Sequence, residues 1–288
     1  MRPRLSCITQ PGRSRYTAVA PMTVSSAYPF LCKCYASPMS LELIGIGYSP
    51  WTQKARWALD HHRIEYKYSE HLIMVGIPLL KMKTGRWLGS VTAPSLVGSE
   101  RPLLDSFAIA RWADKQGSGP TLFPAEHTDA IEMWNAKSDA LLDAARMITT
   151  RALVEDTAAL AEALPFYLKP VPGSVAVAKQ AARYVIEHYA IPGSERSWIE
   201  TLRNGFEQLR EALGSQEYLL GEFTFADIAM AASIQAIQPP DTQYIPLGPA
   251  SQRCWTRPEL VAEFDPKNPF RSTGELYDKI FDKVNKAA

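Results

Sequence analysis

The sequence predicts a small α/β domain with a mixed four-stranded sheet, followed by an all-helical bundle domain. Three observations predict it. Between residues 41 and 123, short apolar runs alternate with stretches of helical periodicity. From Glu126 onward the chain is rich in Ala, Leu and Glu at helical spacing, with no strand-like run. The first forty residues belong to neither pattern.

Leu41 to Gly47 is a mostly apolar run ending in glycine, the form of a buried strand. Tyr48-Ser49-Pro50 turns the chain into a helix. Ser49 suits the N-cap, where its hydroxyl can accept a bond from an orphan amide, and Pro50 suits the first helical position. Trp51, Ala55, Ala58 and Leu59 give that helix an apolar face, ending near His61-His62. The two histidines read as solvated groups or partners of the helix dipole.

Ile64 to Ser69 alternates like a strand, and a less regular stretch runs from His71 to Val91. Ala93 to Val97 and Arg101 to Leu104 flank Gly98-Ser99-Glu100 and read as a hairpin. Asp105-Ser106 opens a helix that the Gly117 to Pro120 loop closes. These elements make one α/β domain over residues 41–123, and residues 126–288 form the helical domain. No internal repeat is present.

A chain of 288 residues can bury two ordinary cores. Its 46% hydrophobic and 21% charged content is that of a soluble globular protein. A net charge of +1, without a basic stripe, argues against nucleic acid as a partner. No apolar run approaches the ~20 residues that span a bilayer, so no membrane partner is expected. Of Cys7, Cys32, Cys34 and Cys254, only the last lies in the expected folded body. A disulfide scaffold and a cysteine zinc site are thereby excluded there, and no metal is expected.

Residues 1–40 carry Arg2, Arg4, Arg13, Arg15 and Lys33, are rich in Ser, Thr and Pro, and lack any acidic residue. Two readings fit: a plastid or mitochondrial transit peptide, or a body that begins at Met39 in a cytoplasmic protein. On either reading this leader is expected to be disordered.

Four motifs can carry chemistry. In Tyr48-Ser49-Pro50-Trp51-Thr52, a strand meets a helix N-terminus, where orphan amides and the helix dipole stabilise a thiolate. Glutaredoxins place Cys-Pro-x-Cys at such a junction; here hydroxyls occupy both cysteine positions, which excludes dithiol exchange. A hydroxyl can instead donate to a bound thiol cofactor. The plainer reading of Ser49 is as an N-cap. Ala93-Pro94 precedes a strand, where a cis bond can offer the backbone of Ala93 to an extended ligand; its plainer reading is an edge proline. Asp105-Ser106 can bind an amino-acid headgroup at a helix start, or only cap it. Thr224 to Asp227 has capping-box spacing, with Phe223 and Ile228 as a hydrophobic staple, and starts a buried helix from Ile228 to Ile237.

In this order and spacing the four motifs resemble the glutathione S-transferase family, over residues from Leu41 to about Val284. The run from Leu220 to Asp227 is the most specific part of the resemblance. It implies a thioredoxin-like N-terminal domain, an all-helical C-terminal domain, reduced glutathione as co-substrate, a small-molecule electrophile and a homodimer. It also implies that Asp105 and Ser106 hold the γ-glutamyl end, and that Ala93, before Pro94, pairs with the cysteinyl backbone. Ser49 falls at the cysteine of Cys-type members and Tyr48 close to the tyrosine of Tyr-type members. Ser49 is therefore the first candidate for thiolate stabilisation and Tyr48 the second. Lys83 and Arg86 are candidates for the glycine carboxylate. The expected activity is conjugation by thiolate attack; the alternatives are a non-catalytic ligand-binding protein and a glutathione-dependent isomerase.

Overall fold

The computed structural model describes residues 40–264, apart from 166, 241, 243, 244 and 246. The leader and the end of the expected helical domain, residues 265–288, lie outside the described residues. The described residues form one compact unit.

Strand β1 (Glu42–Gly45) is central, with β2 (Lys67–Glu70) parallel on one side and β3 (Ser95–Val97) antiparallel on the other. Alternation along β1 sorts its side chains between two layers. Leu43 packs into the main core with Trp57 of helix α1 (Pro50–His61) and Ile109 of α3 (Ser106–Gln116). Ile44 faces the opposite layer, against Leu80 of α2 (Ile77–Thr84).

Three expectations shift. The fourth strand is reduced to a single bridge: Leu103 exchanges both backbone bonds with Leu96, at 2.8 and 3.0 Å. Pro102 beside it has no N–H to extend the ladder. The second strand starts at Lys67 rather than Ile64, because Arg63 turns into the left-handed region and the Ile64 N–H closes α1 on Leu59. His62 is buried, not solvated, with Nε2 3.1 Å from Asp114.

The remaining helices are α4 (Thr128–Glu155), α5 (Thr157–Ala163), α6 (Ser174–His188), α7 (Glu195–Leu213), α8 (Phe225–Ser233), α9 (Pro249–Trp255) and α10 (Pro258–Phe264). At 28 residues, α4 runs roughly 40 Å and packs on α6, α7 and α8. Every residue of α8 is buried, and the chain then tightens into a 3₁₀ turn at Ile234–Ala236. Small residues allow that depth: Ser138 of α4 and Ser233 of α8 share a 2.7 Å hydrogen bond. Phe225 stacks on Phe123 at 5.3 Å and meets Phe107 of α3 at 5.4 Å, joining the α/β layer to the helices.

The start of α8 depends on Asp227, which accepts from the backbone of Leu219 and of Thr224, both at 2.9 Å, and from the Thr224 hydroxyl. Asp227→Ala strands two buried N–H groups, and we expect a loss of about 3 kcal/mol in denaturant unfolding. Burial, with the neighbouring His61, holds the His62 imidazole below its ordinary value of 6.5. Below that value the unfolded chain takes up a proton that the folded state resists, so stability falls with acidification. His62→Gln is expected to flatten the fall in urea midpoint between neutral and mildly acidic pH; an unchanged slope would remove His62 from that role.

Candidate functional site

The turn from β1 into α1 is held by three contacts. The Ile46 N–H donates to Thr52 Oγ1 at 3.1 Å, Gln53 Nε2 donates to the Gly47 carbonyl at 2.6 Å, and the Gly47 N–H donates to Glu70 at 3.1 Å. Gly45 is needed for this geometry, since a Cβ there would lie 2.5 Å from Thr52 Cγ2. The first turn of α1 therefore sits directly on the end of β1, and Ser49 is fixed at its N-cap.

Ser49 does not cap α1 with its side chain, contrary to expectation: its backbone is extended, and its hydroxyl has no hydrogen-bond partner among the described residues. It faces a cleft of about 290 Å³ together with Tyr48 and Ala93. The Ala93–Pro94 peptide is cis. Thr92 ties this loop to the start of α3 by donating to the Leu104 carbonyl at 2.7 Å. Asp105 is the N-cap of α3, its two oxygens accepting from Phe107 and Ala108 at 3.0 and 3.2 Å. Ser106 is buried beneath it. Neither lines the cleft itself; they stand next to it, through Thr92.

Tyr48 meets Trp255 edge to face at 5.8 Å. Burial, with Glu70 nearby, pushes its phenol up to about 12. At neutral pH the phenol is protonated.

Lys83 and Arg86 take no part in the cleft. Lys83 and Ser69 both donate to Glu42. Burial pushes the Glu42 carboxyl up, but these partners outweigh it and hold it below the usual carboxylate range. Arg86 is exposed on the loop after the left-handed Gly85.

The cleft contains residues that the motifs did not single out. Glu70 and His71 line it at the end of β2, where burial holds the His71 imidazole below its ordinary value. Leu142, Arg146 and Thr150 line it from α4, and Val185 from α6. The periodic face of α4 was the available signal, but nothing local distinguishes a cleft-facing stripe from a core-facing one. Among the described residues, no group of three or more His, Cys, Asp or Glu side chains could hold a metal ion. No described helix is long and apolar enough to cross a membrane.

Residues 48–116 match the family described as glutathione S-transferase, N-terminal domain. A probable glutathione S-transferase from Nicotiana tabacum is 26% identical over 96 residues, covering 31% of this chain and 39% of that relative. The chain thus spans well under half the length of this curated relative. Among solved structures, glutathione transferase GSTFuA2 from Phanerochaete chrysosporium superposes with a TM-score of 0.55 at 17% identity, over 84% of this chain and 98% of that one. The β-etherase LigF from a Sphingobium strain gives 0.51 at 18% identity, over 84% and 100%. At such identities the likeness is one of fold, a thioredoxin-like domain followed by helices. The matched residues, 48–116, run across the very turn that carries Ser49, so this segment is similar to a glutathione S-transferase N-terminal domain.

Proposed function

We propose that the protein is a glutathione transferase that conjugates reduced glutathione to an electrophilic small molecule. The observation that carries this reading is the uncommitted Ser49 hydroxyl at the N-terminus of α1, facing the cleft beside Ala93. An N-cap serine that does not cap has its donor available for a ligand. A charge-assisted hydrogen bond of ~1.5–3 kcal/mol lowers a thiol pKa by about one to two units, and the orphan amides of the helix start act in the same direction. A thiol with an ordinary value near ~8.5 is then largely ionised at neutral pH.

In this reading the thiolate forms a sulfur–carbon bond with the electrophile. The leaving group departs with its electron pair, or, in an addition, the adjacent carbon takes a proton. The backbone of Ala93 aligns the cysteinyl unit. Asp105, with acceptor capacity left on both oxygens, takes the γ-glutamyl ammonium, and Ser106 its carboxylate. The electrophile occupies the apolar wall formed by α4 and α6. Tyr48 serves as a second, protonated donor beside Ser49.

Calorimetric titration of reduced glutathione tests the first step, with expected binding in the micromolar to low-millimolar range. No heat from a folded sample would contradict the reading. With a generic aryl halide electrophile, Ser49→Ala is expected to lower kcat about tenfold or more, with little change in KM for glutathione. Tyrosinate absorbance gives an independent check on Tyr48. The difference between wild type and Tyr48→Phe should be silent up to about pH 10, whereas a phenolate at neutral pH would make Tyr48 a base.

A further inference from the structure

The wall of the cleft contributed by α4 repeats at helical spacing: Leu142, Ala145, Arg146, Thr149, Thr150 and Leu153. One member of this otherwise aliphatic and hydroxyl-bearing stripe is a full cation. Withdrawing a charge from water into such a wall is unfavourable unless something offsets it. Asp143 offsets part, since Arg146 Nη2 donates to its Oδ1 at 2.6 Å. That contact engages one of five guanidinium N–H groups. The Arg146 Nε is buried and has no hydrogen-bond partner among the described residues. The rings of Trp51 and Tyr189 lie against the guanidinium, with centroids 4.8 and 4.2 Å from its central carbon. Aromatic packing of this kind restricts the group's orientation and leaves recognition to its N–H edge.

Among the described residues, Glu70 is the other formally charged group on the cleft, and its state is opposite. Its carboxylate accepts from the Gly47 N–H at 3.1 and 3.2 Å and from the Tyr68 hydroxyl at 2.7 Å. The negative group is thus well satisfied, while the positive one has donors to spare.

We propose that Arg146 is a specificity-determining residue that binds a carboxylate on the cleft's ligand, making the substrate class apolar organic acids with an electrophilic carbon. The hydrocarbon part lies along Leu142, Ala145 and Val185, and the acid meets the guanidinium edge. Thr150, one turn along α4 from Arg146, adds a hydroxyl on the same face. Trp51 follows Ser49 by two residues in α1, so its contact with Arg146 places the acid site beside the start of that helix. The substrate class rests on the transferase reading; the acid site itself does not.

The experiment compares phenylbutanoate with phenylbutanamide, a neutral isostere, by calorimetric titration into the full chain near neutral pH. Wild type is expected to bind the acid about tenfold or more tightly than the amide. Arg146→Met should bring the acid to the level of the amide while leaving the amide within about twofold of its original affinity. Because Arg146→Met leaves Asp143 without its partner, the double variant Asp143→Asn/Arg146→Met is titrated alongside, and the same loss of preference is expected. Equal affinities in wild type, or a preference for the acid that survives either variant, would overturn the assignment. Glutathione titrated into the same samples separates the two readings. Acid preference through Arg146 without glutathione binding sinks the transferase and keeps the acid site; glutathione binding without acid preference does the reverse.

Discussion

Lys54 of α1 is fully buried, and its ammonium is held by α4, 2.8 Å from Asp139 and 3.3 Å from Asn135. The Trp51 indole N–H reaches the same Asp139 oxygen at 2.9 Å. Burial pulls the Lys54 pKa down and Asp139 opposes it. Lys54 is buried but the Asp139 side chain is 39% exposed, so the pair contributes little net stability compared with an apolar replacement. Its value here is positional. Two donors from successive turns of α1 converge on one carboxylate, so the helix that begins at Ser49 cannot slide or rotate against α4 without breaking both.

The site follows from that registration. One wall of the cleft is α/β structure, with Ser49 and Ala93 fixed by the turn contacts at Ile46 and Gly47 and by the tie from Thr92 to the start of α3. The other wall is helical and mostly apolar, interrupted by Arg146. Backbone and hydroxyl groups on one wall therefore face a mostly apolar surface on the other. Tyr48 and Tyr189, two of the tyrosines on the cleft, are consistent with this division. Burial, with Glu70 nearby, keeps Tyr48 protonated beside the helix start, while Tyr189 packs its ring on the Arg146 guanidinium.

Local chemistry in the sequence was a good guide where a residue type permits few alternatives. Pro50 at the first position of α1, Asp105 at the cap of α3 and the Thr224–Asp227 pair at the start of α8 all lie in the expected places. It was a poor guide where a contact is made across the fold. Lys83 reads as a candidate for the glycine carboxylate, but its ammonium pairs with Glu42, far away in sequence. His62 reads as a solvated helix end, but the Gly117 to Pro120 loop covers it. Arg146 was not singled out in the sequence, and only the packing of α1 and α6 on α4 turns it toward the cleft. Ser49 is the intermediate case: its position was legible, but the disuse of its hydroxyl as a cap was not.

The proposed role of this hydroxyl is to hold a thiolate. Its most direct test is the ultraviolet absorbance of the glutathione thiolate bound to the protein, followed against pH in wild type and in Ser49→Ala. Bound glutathione in wild type is expected to ionise about one to two pH units below the free thiol, and Ser49→Ala to return it most of the way. A bound thiol that ionises at the same pH with and without the Ser49 hydroxyl would contradict it.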